Sequence, residues 1–147
     1  MKFLLAQINP VVGDLEGNAK KILCTASKAS SNSADLVLTP ELSLWGYPAN
    51  DLLLKKNLIK NQYQILDQLA LVINKKHGNL SITVGIAEII NDSFFPNLYN
   101  SVALLEHGEW KIIARKIILP TYEVFDEKRY FRSEEKVSVL TKEINNK

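Results

Sequence analysis

The most constraining stretch of this 147-residue chain is Asp35-Leu-Val-Leu-Thr39, followed at once by Pro40-Glu41. A short apolar run of this kind makes a buried strand. Proline has no N–H to give to a ladder, so the strand stops at Pro40. Glu41 then falls just beyond its carboxyl end, the crevice where open α/β sheets bind ligands. Trp45-Gly-Tyr-Pro48 follows as an aromatic turn suited to roofing a small pocket. Helix capping and solvated loops are the commoner uses of a lone glutamate, so Glu41 needs support from elsewhere in the chain.

That support begins with the pattern around it. Phe3 to Ile8 reads as a first strand, and Pro10 with Gly13-Asp14 as a turn. Asp14 or Asn18 caps a helix running to about Ser31, with Ala19, Ile22, Leu23, Ala26 and Ala29 as its apolar stripe. The short return to Asp35–Thr39 makes a strand–helix–strand unit with parallel strands. From Leu52 to about Lys76 the spacing is helical again, and Gly78-Asn79 ends it. Leu80 to Ile90 is a long strand, and Asn91-Asp92-Ser93 opens a loop carrying two phenylalanines and Pro96. Tyr99–Leu105 and Trp110–Leu119 form a hairpin about a Gly-containing turn, which makes His107 a turn residue. Val137 to Leu140 starts a further strand, and the chain is polar after it. The class is α/β, a sheet begun in parallel and extended by an antiparallel hairpin.

Composition narrows the function. One domain is expected, with a sizeable core. A net charge of +2 and interspersed lysines such as Lys55, Lys56, Lys60, Lys75 and Lys76 give no basic stripe, so nucleic acid is not an expected partner. No apolar run reaches the ~18 residues of a membrane helix, and the first residues lack the features of a secretory signal. The single cysteine, Cys24, excludes a disulfide framework and a multi-cysteine metal site. It lies on the first helix and is expected to be a small buried hydrophobe. The expected compartment is the cytosol.

Lys116 is the second candidate. Its neighbours Ile112, Ile113, Ala114, Ile117, Ile118 and Leu119 are unusual company for an ammonium. It either snorkels to the surface or, on a buried face, needs a carboxylate partner. Strand periodicity puts it on the face of Ala114 and Ile118 and not that of Arg115.

With these residues the sequence resembles the nitrilase superfamily of carbon-nitrogen hydrolases, and more narrowly the glutamine-hydrolysing amidotransferase domain of glutamine-dependent NAD+ synthetases. The likeness runs through Ala6-Gln-Ile-Asn-Pro-Val-Val-Gly-Asp14 with Asn18, and through Pro40-Glu41-Leu-Ser-Leu-Trp-Gly-Tyr-Pro-Ala-Asn-Asp-Leu-Leu-Leu54. It continues in Leu98-Tyr-Asn-Ser-Val-Ala-Leu-Leu105 and in Lys116-Ile-Ile-Leu-Pro-Thr-Tyr-Glu-Val-Phe-Asp-Glu-Lys-Arg-Tyr-Phe131. Pro-Glu with a downstream Lys marks only the superfamily. Gly-Tyr-Pro-x-x-Asp-Leu-Leu-Leu with Val-Phe-Asp-Glu-x-Arg-Tyr-Phe points to the synthetase branch and away from other nitrilase-type hydrolases.

The resemblance implies a nitrilase-like αββα sandwich and amide hydrolysis through a Glu-Lys-Cys triad. On matching positions Glu41 is the general base and Lys116 the stabiliser of the oxyanion. Tyr122 lines the glutamine pocket. Glu127 corresponds to the superfamily's supporting glutamate, with Glu123 as a rival that the spacing does not eliminate. The implied substrate is glutamine, and the implied partner is a synthetase domain that accepts the ammonia to amidate deamido-NAD+. The nucleotides belong to that domain, so no cofactor and no metal are expected here.

The family's nucleophilic cysteine sits in a later Cys-Glu-Asp-type motif that this chain does not match. The expectation is a partial domain over residues 1–147, an incomplete first half of the sandwich. This chain alone is then expected to be inactive and, with strands uncovered, an oligomer, an aggregate or a partly molten state. The alternative is a non-catalytic binding or assembly module, or a split-enzyme subunit completed by another chain.

Overall fold

The computed structural model describes residues 1–92 and 94–141. Five strands form one sheet in chain order: β1 (Phe3–Leu5), β2 (Leu36–Leu38), β3 (Ser81–Ile89), β4 (Leu98–Glu106) and β5 (Glu109–Arg115). The first three are parallel and β3–β4–β5 antiparallel. Helices α1 (Leu15–Ser31) and α2 (Lys56–His77) form the two crossovers and pack on each other and on the sheet. Right-handed crossovers stepping the same way along a sheet leave both helices on one face.

Asp14 caps α1 by accepting from the Gly17 amide at 2.9 Å. Asn18 does something else. Fully buried, it accepts from the Val11 amide (2.8 Å) and donates to the carbonyls of Val11 (2.8 Å) and Leu44 (3.0 Å). It thus ties the turn after β1 to the turn that follows Glu41. The helix-side core joins Ile22, Ala26 and Ala29 of α1, Leu66, Leu69 and Ile73 of α2, and Val37, Ile82, Val84 and Ile86 of the strands. At the hairpin, His107 and Gly108 both have positive φ (54° and 85°), the geometry of a two-residue turn matched to strand twist.

Several expectations are corrected. The run Phe3–Ile8 forms a strand only to Leu5, because Ile8 donates to the Ala6 carbonyl and folds the chain back. Helix α2 begins at Lys56 and not near Leu52, because Lys55 is extended and separates it from a short 3-10 helix over Asn50–Leu54. The strand expected to reach Leu119 ends at Arg115, and the face shared by Lys116 and Ile118 ends with it. Val137–Leu140 forms no strand; Val137 and Val139 are exposed. Cys24 is exposed, since the buried stripe passes through Ile22, Thr25 and Ala26 and leaves position 24 outward. Trp45 roofs nothing: it is core, its indole N–H bonded to Gln62, which also bonds both backbone groups of Ala87. Ser93 and the polar tail beyond Thr141 lie outside the described residues.

The face away from the helices is apolar along β1–β2. Phe3 is 55% exposed and Leu5 70%, beside half-buried Leu36 and Leu38. No described helix is long and apolar enough to cross a membrane.

Candidate active site

The loop after β2 is built to hold Glu41 still. Leu42 is buried with φ of 44°, a costly conformation for a branched side chain that persists only where its surroundings enforce it. They do so from β3. Leu44 donates to the Gly85 carbonyl (3.2 Å), and the Gly85 amide donates to the Ser43 hydroxyl (3.0 Å). The Thr39 and Ser43 hydroxyls lie 2.7 Å apart. Only a residue without a Cβ fits at 85, because that atom would stand 2.3 Å from the Leu42 nitrogen.

Lys116 follows directly after β5, its backbone fixed on both sides. Its N–H donates to the Asn100 carbonyl (2.8 Å), and its carbonyl accepts from Glu134 (3.1 Å). Next door, Arg115 turns to a separate network. It donates to both oxygens of Glu88 (2.7 and 2.6 Å) and to Glu134 (3.1 Å), and lies over the Tyr99 ring.

The Lys116 ammonium then reaches two carboxylates, Glu41 Oε1 at 2.7 Å and Glu127 Oε1 at 2.9 Å. Glu127 opens a short 3-10 helix, Glu127–Arg129, and is nearly fully buried. Tyr47 donates its hydroxyl to Glu127 Oε1 (2.7 Å), while Glu127 Oε2 is buried with no hydrogen-bond partner among the described residues. Asn100 of β4, also buried, donates Nδ2 to Glu41 Oε1 at 2.6 Å. Burial pulls the Lys116 pKa down, but hydrogen bonds and charge from Glu41 and Glu127 outweigh it, leaving the group above its ordinary value. Burial first, then the hydrogen bond and charge of Glu127, push the Tyr47 phenol far above its usual range. Lys116 is therefore a firmly protonated cation facing two carboxylates, with the least buried one, Glu41, open to solvent on its other side (its side chain is 45% exposed).

The four residues singled out from sequence meet in part. Glu41, Lys116 and Glu127 are in direct contact. The glutamate on Lys116 is Glu127; Glu123 is exposed on the loop, at φ of 54°. Tyr122 stands beside them, 63% exposed and edge-on to Phe125, which also packs against Tyr47. A shallow cleft runs below, between Tyr47, Pro48, Phe125, Glu127 and Tyr130. Sequence reasoning missed Asn100 as a site residue; Tyr47 it placed only in a pocket-roofing turn, and Tyr47 and Pro48 do line the cleft. Asn100 carries no local signal, since Ser101 beside it on β4 is polar as well. Among the described residues, no cluster of histidine, cysteine or acidic side chains is arranged to hold a metal.

Residues 5–144 of this α/β chain, with its lysine set between two glutamates, match the carbon-nitrogen hydrolase family, to which the chain belongs. More narrowly, it is homologous to glutamine-dependent NAD+ synthetases. It is 41% identical to that of Synechocystis sp. over 132 residues, covering 88% of this chain and 23% of the relative. With that of Thermotoga maritima it shares 38% identity over 140 residues, 95% of this chain and 23% of the relative. The glutamine-dependent NAD+ synthetase of Acinetobacter baumannii, solved with ADP, superposes with a TM-score of 0.78 at 36% identity over 91% of this chain and 24% of that one. An amidase from Nesterenkonia sp. shares the fold (TM-score 0.71, 24% identity), covering 92% of this chain and 49% of the amidase. The chain thus spans about a quarter of the length of the synthetases it matches, and its sheet and two helices correspond to about half of a nitrilase-like fold.

Proposed function

We propose that this chain is the N-terminal part of the glutaminase domain of a glutamine-dependent NAD+ synthetase. It supplies the base and the oxyanion-binding cation for hydrolysis of glutamine to glutamate and ammonia. The observation that carries the reading is the Lys116 ammonium held between Glu41 and Glu127. A thiol attacks the side-chain amide carbon, and Glu41 takes the thiol proton. The carbonyl oxygen becomes an oxyanion, which Lys116 stabilises. Glu41 returns the proton to the departing ammonia, then activates water to release glutamate from the thioester. Oε1 of Glu41 is occupied by Asn100 and Lys116, so proton transfer falls to Oε2. Glu127 keeps Lys116 charged and aimed, and Tyr122 lines the approach of glutamine. Ammonia passes to a synthetase domain that amidates deamido-NAD+.

The thiol is the one group these residues do not supply. Cys24, the single cysteine, faces outward from α1. That observation favours a second reading, a binding or assembly module completed by another polypeptide. The apolar face of Phe3 and Leu5 favours association in either case.

Two assays test the proposal. The 147-residue chain is expected to release no glutamate from glutamine. Exchanged for the matching segment of a full-length relative, it is expected to support glutamine-dependent synthesis. Turnover by the chain alone that survives Cys24→Ala but not Glu41→Ala would overturn the division of labour; an inert exchange protein that folds and uses free ammonia would overturn the function.

A further inference from the structure

We propose that Asn100 is a positioning residue that holds the Glu41 carboxylate against the Lys116 ammonium and so sets the distance between the two. This rests on the hydrolase reading for its catalytic meaning, and on geometry alone for the rest.

Three observations converge on Asn100. It is buried on β4, opposite Ala87 of β3. Its Nδ2 donates to Glu41 Oε1 at 2.6 Å; the facing atom has to be the NH2, because a carboxylate only accepts. Its backbone carbonyl accepts the Lys116 N–H at 2.8 Å. One residue of a sheet interior therefore touches both partners, the carboxylate through its side chain and the lysine through its main chain. Glu41 and Lys116 are 75 residues apart in sequence and come from different strand ends. Asn100 is the rigid piece between them.

The side chain matters because Glu41 is held by little else. Its only donors among the described residues are Asn100 and Lys116, and its side chain is 45% exposed. Without the amide, the carboxylate is free to turn towards water, trading the ion pair for hydration and rotamer freedom. Exposed ion pairs gain so little net energy that such a trade is close to even. The backbone bond to Lys116 survives any substitution at 100, so loss of the pairing isolates what the amide does.

The test is trace acetylation of the 147-residue chain with acetic anhydride at pH 9, reading Lys116 against exposed Lys20 by peptide mass spectrometry. Only a deprotonated amine reacts. Asn100→Ala is expected to raise relative labelling of Lys116 about 3- to 10-fold, the change that accompanies losing one close carboxylate. Glu41→Gln is expected to raise it equally, and the double variant no further. Amide spectra verify folding. Asn100→Ser, with a hydroxyl too short to reach Glu41, is measured alongside and is expected to match Asn100→Ala. Wild-type labelling of Lys116 in either folded variant, or additive effects in the double variant, would overturn the assignment. An exchange protein that fails to use glutamine would instead overturn the hydrolase reading and leave this result standing.

Discussion

Gly85 and Leu42 approach so closely that a single added methyl group has no room between them: a Cβ at 85 would lie 2.3 Å from the Leu42 amide nitrogen and 2.9 Å from the Pro40 carbonyl. Both neighbours are backbone and cannot swing aside. Gly85→Ala therefore has to push residues 40–42 off β3, weakening the bonds from Leu44 to Gly85 and from Gly85 to Ser43. The expected cost is about 1–3 kcal/mol in urea unfolding, with Glu41 displaced from Lys116. Unchanged stability would mean that this contact does not support the loop.

Lys116 neutralises a carboxylate that is almost wholly inside the protein. Lys116→Met leaves Glu127 buried without its cation, a change expected to cost about 3 kcal/mol. Adding Glu127→Gln removes the orphaned charge while keeping an acceptor for the Tyr47 hydroxyl. The double variant is expected to be more stable than Lys116→Met alone by chemical denaturation. If the second change instead adds its own loss, Glu127 is not charged in the native site.

These interactions show why the sequence revealed part of the site and hid the rest. Glu41 stood out because Pro40 ends a strand just before it, and Lys116 because its neighbours are apolar; both are local anomalies that one strand discloses. Asn100 and Gly85 have no such mark. Their roles arise from register, Ala87 beside Asn100 and Leu42 beside Gly85, which exists only once β3 has neighbours. Glu123 and Glu127 were inseparable by spacing, because a positive-φ residue and a short 3-10 helix decide which one turns inward. The expected strand at Val137–Leu140 rested on composition alone, and β-rich composition makes a strand only when an edge is there to pair with. Cys24 was misplaced because a stripe with small residues leaves its boundary ambiguous by one position.

Alkaline pH is expected to loosen the site. The Lys116 pKa is raised in the folded chain, so its contribution is complete below the ordinary value of 10.5 and is lost as pH climbs through the folded value. Tyr47 has the same sign, its neutral phenol being favoured by folding above the ordinary 10.0. Tyr63 and Tyr130 are raised as well. Tyrosine absorbance is expected to show late-ionising phenols, with Tyr47→Phe removing one of the late steps. A titration complete near pH 10 would contradict the burial and pairing of Tyr47.

The uncovered face of β1–β2 is expected to make the isolated chain associate. Hiding a few hundred Å2 of apolar surface is worth on the order of several kcal/mol. Sedimentation is expected to show oligomers that Phe3→Lys with Leu5→Lys disperses, since both side chains point away from the helices. A monodisperse monomer in the unsubstituted chain would show that this face is tolerated in water.

The most direct measurement uses the exchange protein, in which this chain replaces the matching segment of a full-length relative. Synthesis is followed with glutamine and, separately, with free ammonia as the nitrogen source. Glu41→Gln and Lys116→Met are each expected to lower the glutamine-supported rate about 10²- to 10⁴-fold and to leave the ammonia-supported rate within about twofold, because only the hydrolytic step uses them. Equal loss of both rates would reduce the two residues to structural supports, and glutamine-supported synthesis that persists in both variants would contradict their place in the chemistry.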